Sequence, residues 1–281
     1  MNKMTIARLD NEVFFKKAFT DRIVFKAFVK DIIGIDVEPT EIETEKAFVP
    51  KVGSVNFKYD IFAEDPTNRL IIEIQKVEYD HNFDRFLHYH LQAITEQQRS
   101  SADYSVDRTV YTIVVMTSRY KYNQKTGRVV EDEVLISSLN PKNLKGIEQD
   151  IFGHNLIFLN PNYKDESTPE NYRDWLDLIY ESIHHPDNPT ININNVGIKR
   201  AAELVQFDNI SPDEWEQSKI EVGKRKVLSI TFEEGKHEQL ILSIVGMIKL
   251  GILTDEQISS ALSVTIEKIK EVRKEHLISE V

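Results

Sequence analysis

No cysteine occurs among the 281 residues of this chain. That absence excludes disulfides, thiolate zinc centres and a cysteine nucleophile, so any metal must be held by oxygen or histidine. Long hydrophobic runs are missing too. No apolar stretch approaches the roughly 18 residues of a spanning helix, and the first residues, MNKMTIARLDNEVFF, lack the apolar segment and small-residue cleavage site of a signal peptide. These absences lead us to expect a cytoplasmic protein without membrane contact. Positive charge is scarce: 35 Lys and Arg face 46 Asp and Glu, for a net charge of −11. Binding nucleic acid through bulk positive potential is disfavoured, because counterion release needs clustered Lys and Arg at the contact.

What remains is an ordinary globular composition, 41% hydrophobic and 29% charged. Residues 11–33 carry helix-spaced aromatics and aliphatics and predict two helices broken near Thr20-Asp21. Strand-like runs follow at 46–50, 57–63 and 69–76. Phe83, Phe86, Leu87, His90, Leu91 and Ile94 recur at helical spacing and predict an amphipathic helix. TVYTIVVM at 109–116 reads as a fully buried strand, NLIFLN at 155–160 as another, and TPENYRDWLDLIYESI at 168–183 as a helix. This order describes an α/β domain with a mixed central sheet flanked by helices.

Beyond it the texture changes. HHPDNPTININN at 184–195 breaks all periodicity and marks the best boundary. Ser211, Pro212 and Glu214 form a capping box that starts another helix. Ile241, Ile244, Val245 and Ile248 make a helical stripe, Thr254 to Gln257 cap a short helix, and Ile266, Ile269 and Val272 belong to a last one. The expected division is therefore a core at 1–185, a linker and helical extension at 186–230, and a helical C-terminal segment at 231–281. RYKYNQKTGR at 119–128 interleaves basic and aromatic residues; an exposed connection is favoured over a DNA-contacting loop.

The informative stretch is YDIFAEDPTNRLIIEIQK, residues 59–76. Asp65-Pro66-Thr67-Asn68 is good turn chemistry, and a turn centred between Pro66 and Thr67 pairs Asp60 with Glu73 and Lys58 with Gln75. Alternation then puts Tyr59, Ile61, Ala63, Leu70, Ile72 and Ile74 on a core face, and Lys58, Asp60, Phe62, Ile71, Glu73 and Gln75 on the other. Opposed carboxylates with Cβ atoms about 5 Å apart destabilise a strand pair unless something neutralises them. A divalent cation would do so, since Mg²⁺ takes one or two carboxylates, waters and substrate phosphate oxygens. Screening by Lys58 and Arg69 on a solvated hairpin face is the other reading, and spacing alone leaves both open.

The succession FFKKAF, YDIFAEDPTNRLIIEIQK, FDRFLHYH, SADYSVDRTVYTIVVM and NLIFLNPNYKDE resembles the PD-(D/E)XK nuclease family transposases, the Rpn recombination-promoting nucleases, over about residues 10–183. The tail TFEEGKHEQLILSIVGMIKLGILTDEQISSALSVTIEKI is similar in character to the helical end of many members. The most specific part is Asp60, Glu73 and Gln75, a D-x12-E-x-Q pattern in place of the more general E-x-K. The resemblance implies a restriction-endonuclease-like core: helix, three-stranded antiparallel meander, helix, and a further parallel strand. Asp60 and Glu73 would ligate Mg²⁺ (or Mn²⁺), joined by the main-chain carbonyl of Ile74. Gln75 would stand where a lysine usually positions the attacking water; an amide can orient water but cannot stabilise negative charge as an ammonium does. Lys58, opposite Gln75, is the candidate for supplying that charge, while Lys76 points to the other face. Glu12 would be an outer ligand or general base, with Asp10 the alternative. Arg85 would contact phosphate, and Tyr89 would stack or hydrogen-bond near the metal. The implied activity is a metal-dependent DNA endonuclease of mobile-element, recombination-promoting type, and a homodimer would supply two metal sites for two cuts. The alternative is an inactive nuclease-fold protein that binds DNA or a protein partner.

Overall fold

A computed structural model describes residues 4–48, 57–76, 83–98, 105–120, 130–251, 253–262 and 264–277. The chain divides into two compact units, residues 1–218 and 219–281.

The first unit begins with α1 (Glu12–Phe19) and α2 (Arg22–Ile33). They break where the sequence predicts, because Asp21 turns its carboxylate onto the free N–H groups of Ile23 and Val24 at 3.0 and 3.3 Å. Gly34, with φ at 82°, ends α2 in the left-handed conformation a side chain would resist. An antiparallel meander follows: β1 (Ile42–Phe48), β2 (Phe57–Glu64) and β3 (Asn68–Gln75). Its second turn is set by Asp65, whose Oδ1 accepts the N–H groups of Thr67 and Asn68 at 2.9 and 2.7 Å. Then come α3 (Phe83–Thr95), β4 (Thr109–Met116), β5 (Val134–Ser138) and β6 (Asn155–Leu159). β4 runs parallel to β3 and β6 parallel to β4, with β5 antiparallel at the edge, giving a mixed six-stranded sheet in the order β1-β2-β3-β4-β6-β5.

Alternation along the central strands sends side chains to two cores. Ile72, Ile74, Ile113, Val115 and Ile157 face α1, α2, α4 (Glu170–His184) and α5 (Val196–Leu204), whose Phe15, Phe19, Phe28 and Trp175 form the aromatic centre. On the opposite face, Ile71 and Val110 pack with Ala93 of α3, and Val114 and Phe158 with its Phe86. β5 was not anticipated. It is a five-residue edge strand with Ile136 57% exposed, too short and too little buried to show alternation.

The expected boundary after 185 does not coincide with the division at 218. Asn195 caps α5, and Asp31 of α2 accepts hydrogen bonds from both Asn195 (3.1 Å) and Trp175 (2.8 Å), which ties α5 into the helical layer. A turn of 3₁₀ helix at Phe207–Asn209 leads to α6 (Pro212–Leu250), started by the Ser211 and Glu214 capping box. The division falls within this 39-residue helix.

In the second unit, Ile244 of α6 packs with Ile258 of α7 (Asp255–Leu262) and with Ile269 and Val272 of α8 (Ile266–Leu277). Thr254 and Gln257 exchange capping hydrogen bonds at the start of α7. No described helix is long and apolar enough to cross a membrane.

Candidate active site

The β2–β3 ladder has the register set by the Asp65 turn, from Glu64 opposite Arg69 to Ile61 opposite Ile72. At the next position carboxylates replace the backbone partners. The Asp60 N–H donates to Glu73 Oε1 at 3.1 Å, and the Ile74 N–H donates to Asp60 Oδ2 at 3.0 Å. Each acid thus accepts an amide from the opposite strand, which answers why two acids stand in a greasy hairpin. On the other side of β2, the β1 ladder skips the same position, passing from Thr44–Ile61 to Lys46–Tyr59. The residue between, Glu45, has φ of 59°, the one non-glycine positive φ among the described residues. A side chain held in that region stores strain, and such strain gathers at functional sites.

The irregularity corrects one expectation. Tyr59 does not share the face of Ile61; it packs with Phe62 and Ile71 and donates its hydroxyl to the Tyr89 carbonyl at 3.0 Å. Strict alternation fails because the backbone is irregular where Asp60 and Glu45 meet.

Two residues of α1 complete the cluster. The carboxylates of Glu12, Glu45 and Asp60 each offer an oxygen within 4.8 Å of the others, an arrangement that can hold a metal ion. The Lys16 ammonium lies among them, paired with Glu12 and Glu45 and 3.5 Å from Asp60 Oδ1. Glu73 is only 2% exposed. Burial, and then the neighbouring Asp60 charge, push its carboxyl well above the usual range. Burial also raises Asp60, with Glu12 adding to the shift, although the Ile74 N–H and Lys16 pull the other way. Burial and like charge thus work against full ionisation of the Asp60–Glu73 pair. Hard oxygen donors in that state fit a divalent cation of the Mg²⁺ class.

The remaining expected residues are spread around this centre. Gln75, at the end of β3, accepts from Arg85 Nη1 at 3.2 Å, and Arg85 Nε donates to the Tyr89 hydroxyl at 3.1 Å while its guanidinium lies 5.1 Å from that ring's centre. Arg85 and Tyr89 are thus together beside Gln75. Lys58 is not the cation at Gln75: its side chain is 59% exposed and its ammonium pairs with Glu45. Asp10, the alternative to Glu12, is engaged by Arg8 and by Lys76, each at 2.8 or 2.7 Å. Burial raises the Asp10 carboxyl, but those two cations outweigh it and hold it below the usual range. The basic run at 119–128 falls largely outside the described residues.

Sequence reasoning missed Glu45 and Lys16. The Glu12-x3-Lys16 spacing is a readable helix-face pair, whereas nothing local marks Glu45 as leaving its strand's regular course.

No curated protein and no solved structure matches this chain. A sequence-family model described as PD-(D/E)XK nuclease family transposase matches residues 24–226. That stretch includes Glu45, Asp60, Glu73 and Gln75 and begins after Glu12 and Lys16. With most of its length matched, and with a mixed sheet flanked by helices that agrees with the family's α/β fold, the chain belongs to the PD-(D/E)XK nuclease family transposases.

Proposed function

We propose that this protein is a Mg²⁺-dependent DNA endonuclease of the recombination-promoting type, acting in the cytoplasm. One observation carries the reading: Asp60 and Glu73 meet across an interrupted strand pair, and Asp60 also gathers with Glu12 and Glu45. Like charges gathered at a strained point of a sheet disfavour the fold, so they are best explained by a cation they bind. Family membership supports hydrolysis of a nucleic-acid backbone as the reaction.

In this reading Asp60 and Glu73 are the metal ligands, the Ile74 carbonyl joins them, and Glu12 and Glu45 are outer acids. A divalent ion, when held there, would lower the pKa of a bound water and polarise a phosphoryl oxygen. The chain's own groups orient the reactants. Gln75 holds the attacking water by hydrogen bonding. Its side-chain oxygen is fixed by Arg85, which together with Tyr89 forms a cationic, aromatic face suited to a phosphate and its adjoining base. Phosphate contacts of this kind position the substrate and carry no sequence information. A homodimer would present two such centres to the two strands.

The net charge of −11 favours a second reading, a nuclease fold that binds a partner without cutting. Incubating supercoiled plasmid with wild type, Asp60→Asn and Glu73→Ala, in Mg²⁺, Mn²⁺ or EDTA, separates the two. The endonuclease reading expects metal-dependent nicking by the wild type alone. Folded wild type that leaves the plasmid intact in both metals would assign the protein to the second.

A further inference from the structure

Lys16 is the one residue of the cluster for which the hydrolytic scheme has no use, and it occupies the cluster's middle. Its ammonium is paired with Glu12 and Glu45 and stands 3.5 Å from Asp60, so one point charge serves the same three acids whose oxygens are close enough to hold a metal. The side chain is only 13% exposed. Three features place it there. Glu12 and Lys16 are one helical turn apart on α1, which Phe14, Phe15 and Phe19 pin in the core. The β2–β3 interruption leaves Asp60 Oδ1 free to face α1 while Oδ2 holds the Ile74 amide. The left-handed turn at Glu45 brings a third carboxylate to the ammonium.

An ammonium carries three donors and no acceptor, so it can satisfy three carboxylates at once. A divalent ion needs oxygens from the same groups and cannot share that space with another cation at contact distance. We propose that Lys16 is a built-in competitor of the metal: it neutralises the acid cluster before loading, and a divalent ion binds by displacing its ammonium, so Lys16 sets how much metal is needed to arm the site. The four-carbon stem lets the ammonium swing away without disturbing α1. The inference rests on the reading of Asp60 as a metal ligand, and it extends that reading from which groups hold the ion to how loading is controlled.

The test is a calorimetric Mn²⁺ titration, at one pH, of wild type, Lys16→Met, Lys16→Arg and Asp60→Asn. Removing the ammonium is expected to tighten Mn²⁺ binding by about tenfold or more, whereas the arginine variant, which keeps the charge, stays at or below wild-type affinity. Lys16→Met binding no more tightly than wild type, with binding still lost in Asp60→Asn, would overturn the competition alone. Binding that is absent in wild type, or indifferent to Asp60→Asn, would overturn the metal reading and the competition with it. Should Lys16→Met fail to fold, the wild type with ¹⁵N-labelled lysine answers the same question. A slowly exchanging Lys16 ammonium signal is expected in EDTA and should vanish on adding Mg²⁺; persistence of that signal at saturating Mg²⁺ would refute displacement.

Discussion

Glu73→Gln should make the metal-free protein more stable. The Glu73 carboxylate is almost wholly buried beside Asp60, and both burial and that neighbour work against its ionised form. Cβ atoms of facing strand residues stand about 5 Å apart, and two charges at that separation repel by about 3 kcal/mol at an effective dielectric of about 20. Attraction from Arg85 and Lys16 offsets part of this. A net gain of about 1–2 kcal/mol is expected, the size typical of relieving a functional site. Glutamine keeps the carbonyl oxygen that accepts the Asp60 N–H, so the strand pair need not open. The assay is urea denaturation in EDTA at pH 8, comparing midpoints at equal m-value. A variant equal to or less stable than wild type would refute the claim that the ionised Glu73 carboxylate works against the fold.

Other perturbations test the scaffold. Gly197→Ala should lower stability by about 1–2 kcal/mol, because its Cβ would lie 2.5 Å from Ala27 Cβ and 3.0 Å from the Trp175 ring, and overpacking outweighs the helix-propensity gain; Gly223→Ala in α6, with nothing within 4 Å, should instead gain up to about 1 kcal/mol by the same thermal melts. Asp21→Ala removes both the α2 cap and the partner of Arg200, which it holds at 2.8 and 3.0 Å, and should cost about 2 kcal/mol in chemical denaturation. His90 is fully buried against Thr112, and burial, with His154 nearby, depresses its pKa to about 4. The unfolded chain takes up a proton that the folded one refuses, so this contribution, about 3 kcal/mol at most, is complete above about pH 6.5 and is lost as pH falls toward 4. His90→Gln should flatten the stability profile in that window, and an unchanged slope would remove His90 as its source.

Wherever local chemistry dictates geometry, the fold was legible. The Asp21 break and the Asp65 turn each follow from side chains acting on their own backbone, the continuous apolar run marks β4 as a strand, and the turn alone set the register that brings Asp60 to Glu73. What escaped were features fixed by tertiary contact. α5 follows an Asn- and Pro-rich segment that looks like a linker, yet Gly197, Ala201 and Ala202 are small because the helix lies close against its neighbours. Glu45 sits in an edge strand whose sequence gives no hint of a left-handed residue. The cation was sought at Lys58, across the strand from Gln75, and the structure has Arg85 at Gln75 and Lys16 among the acids instead, both on helices, where strand alternation has nothing to say.

The exchanged hydrogen bonds of Asp60 and Glu73 bear on how such chains diverge. Each acid accepts an amide of the opposite strand, so replacing either by an apolar residue leaves a part-buried N–H without its acceptor, which costs about 1 kcal/mol or more. A descendant that no longer cut DNA would still be held by the need to fold to a side-chain acceptor at both positions, which an amide can also supply, while Lys16, which accepts no backbone amide, would be free to drift. In this architecture a loss of activity would show at the motif as acid-to-amide exchange rather than as apolar replacement, and at Lys16 as unrestricted change.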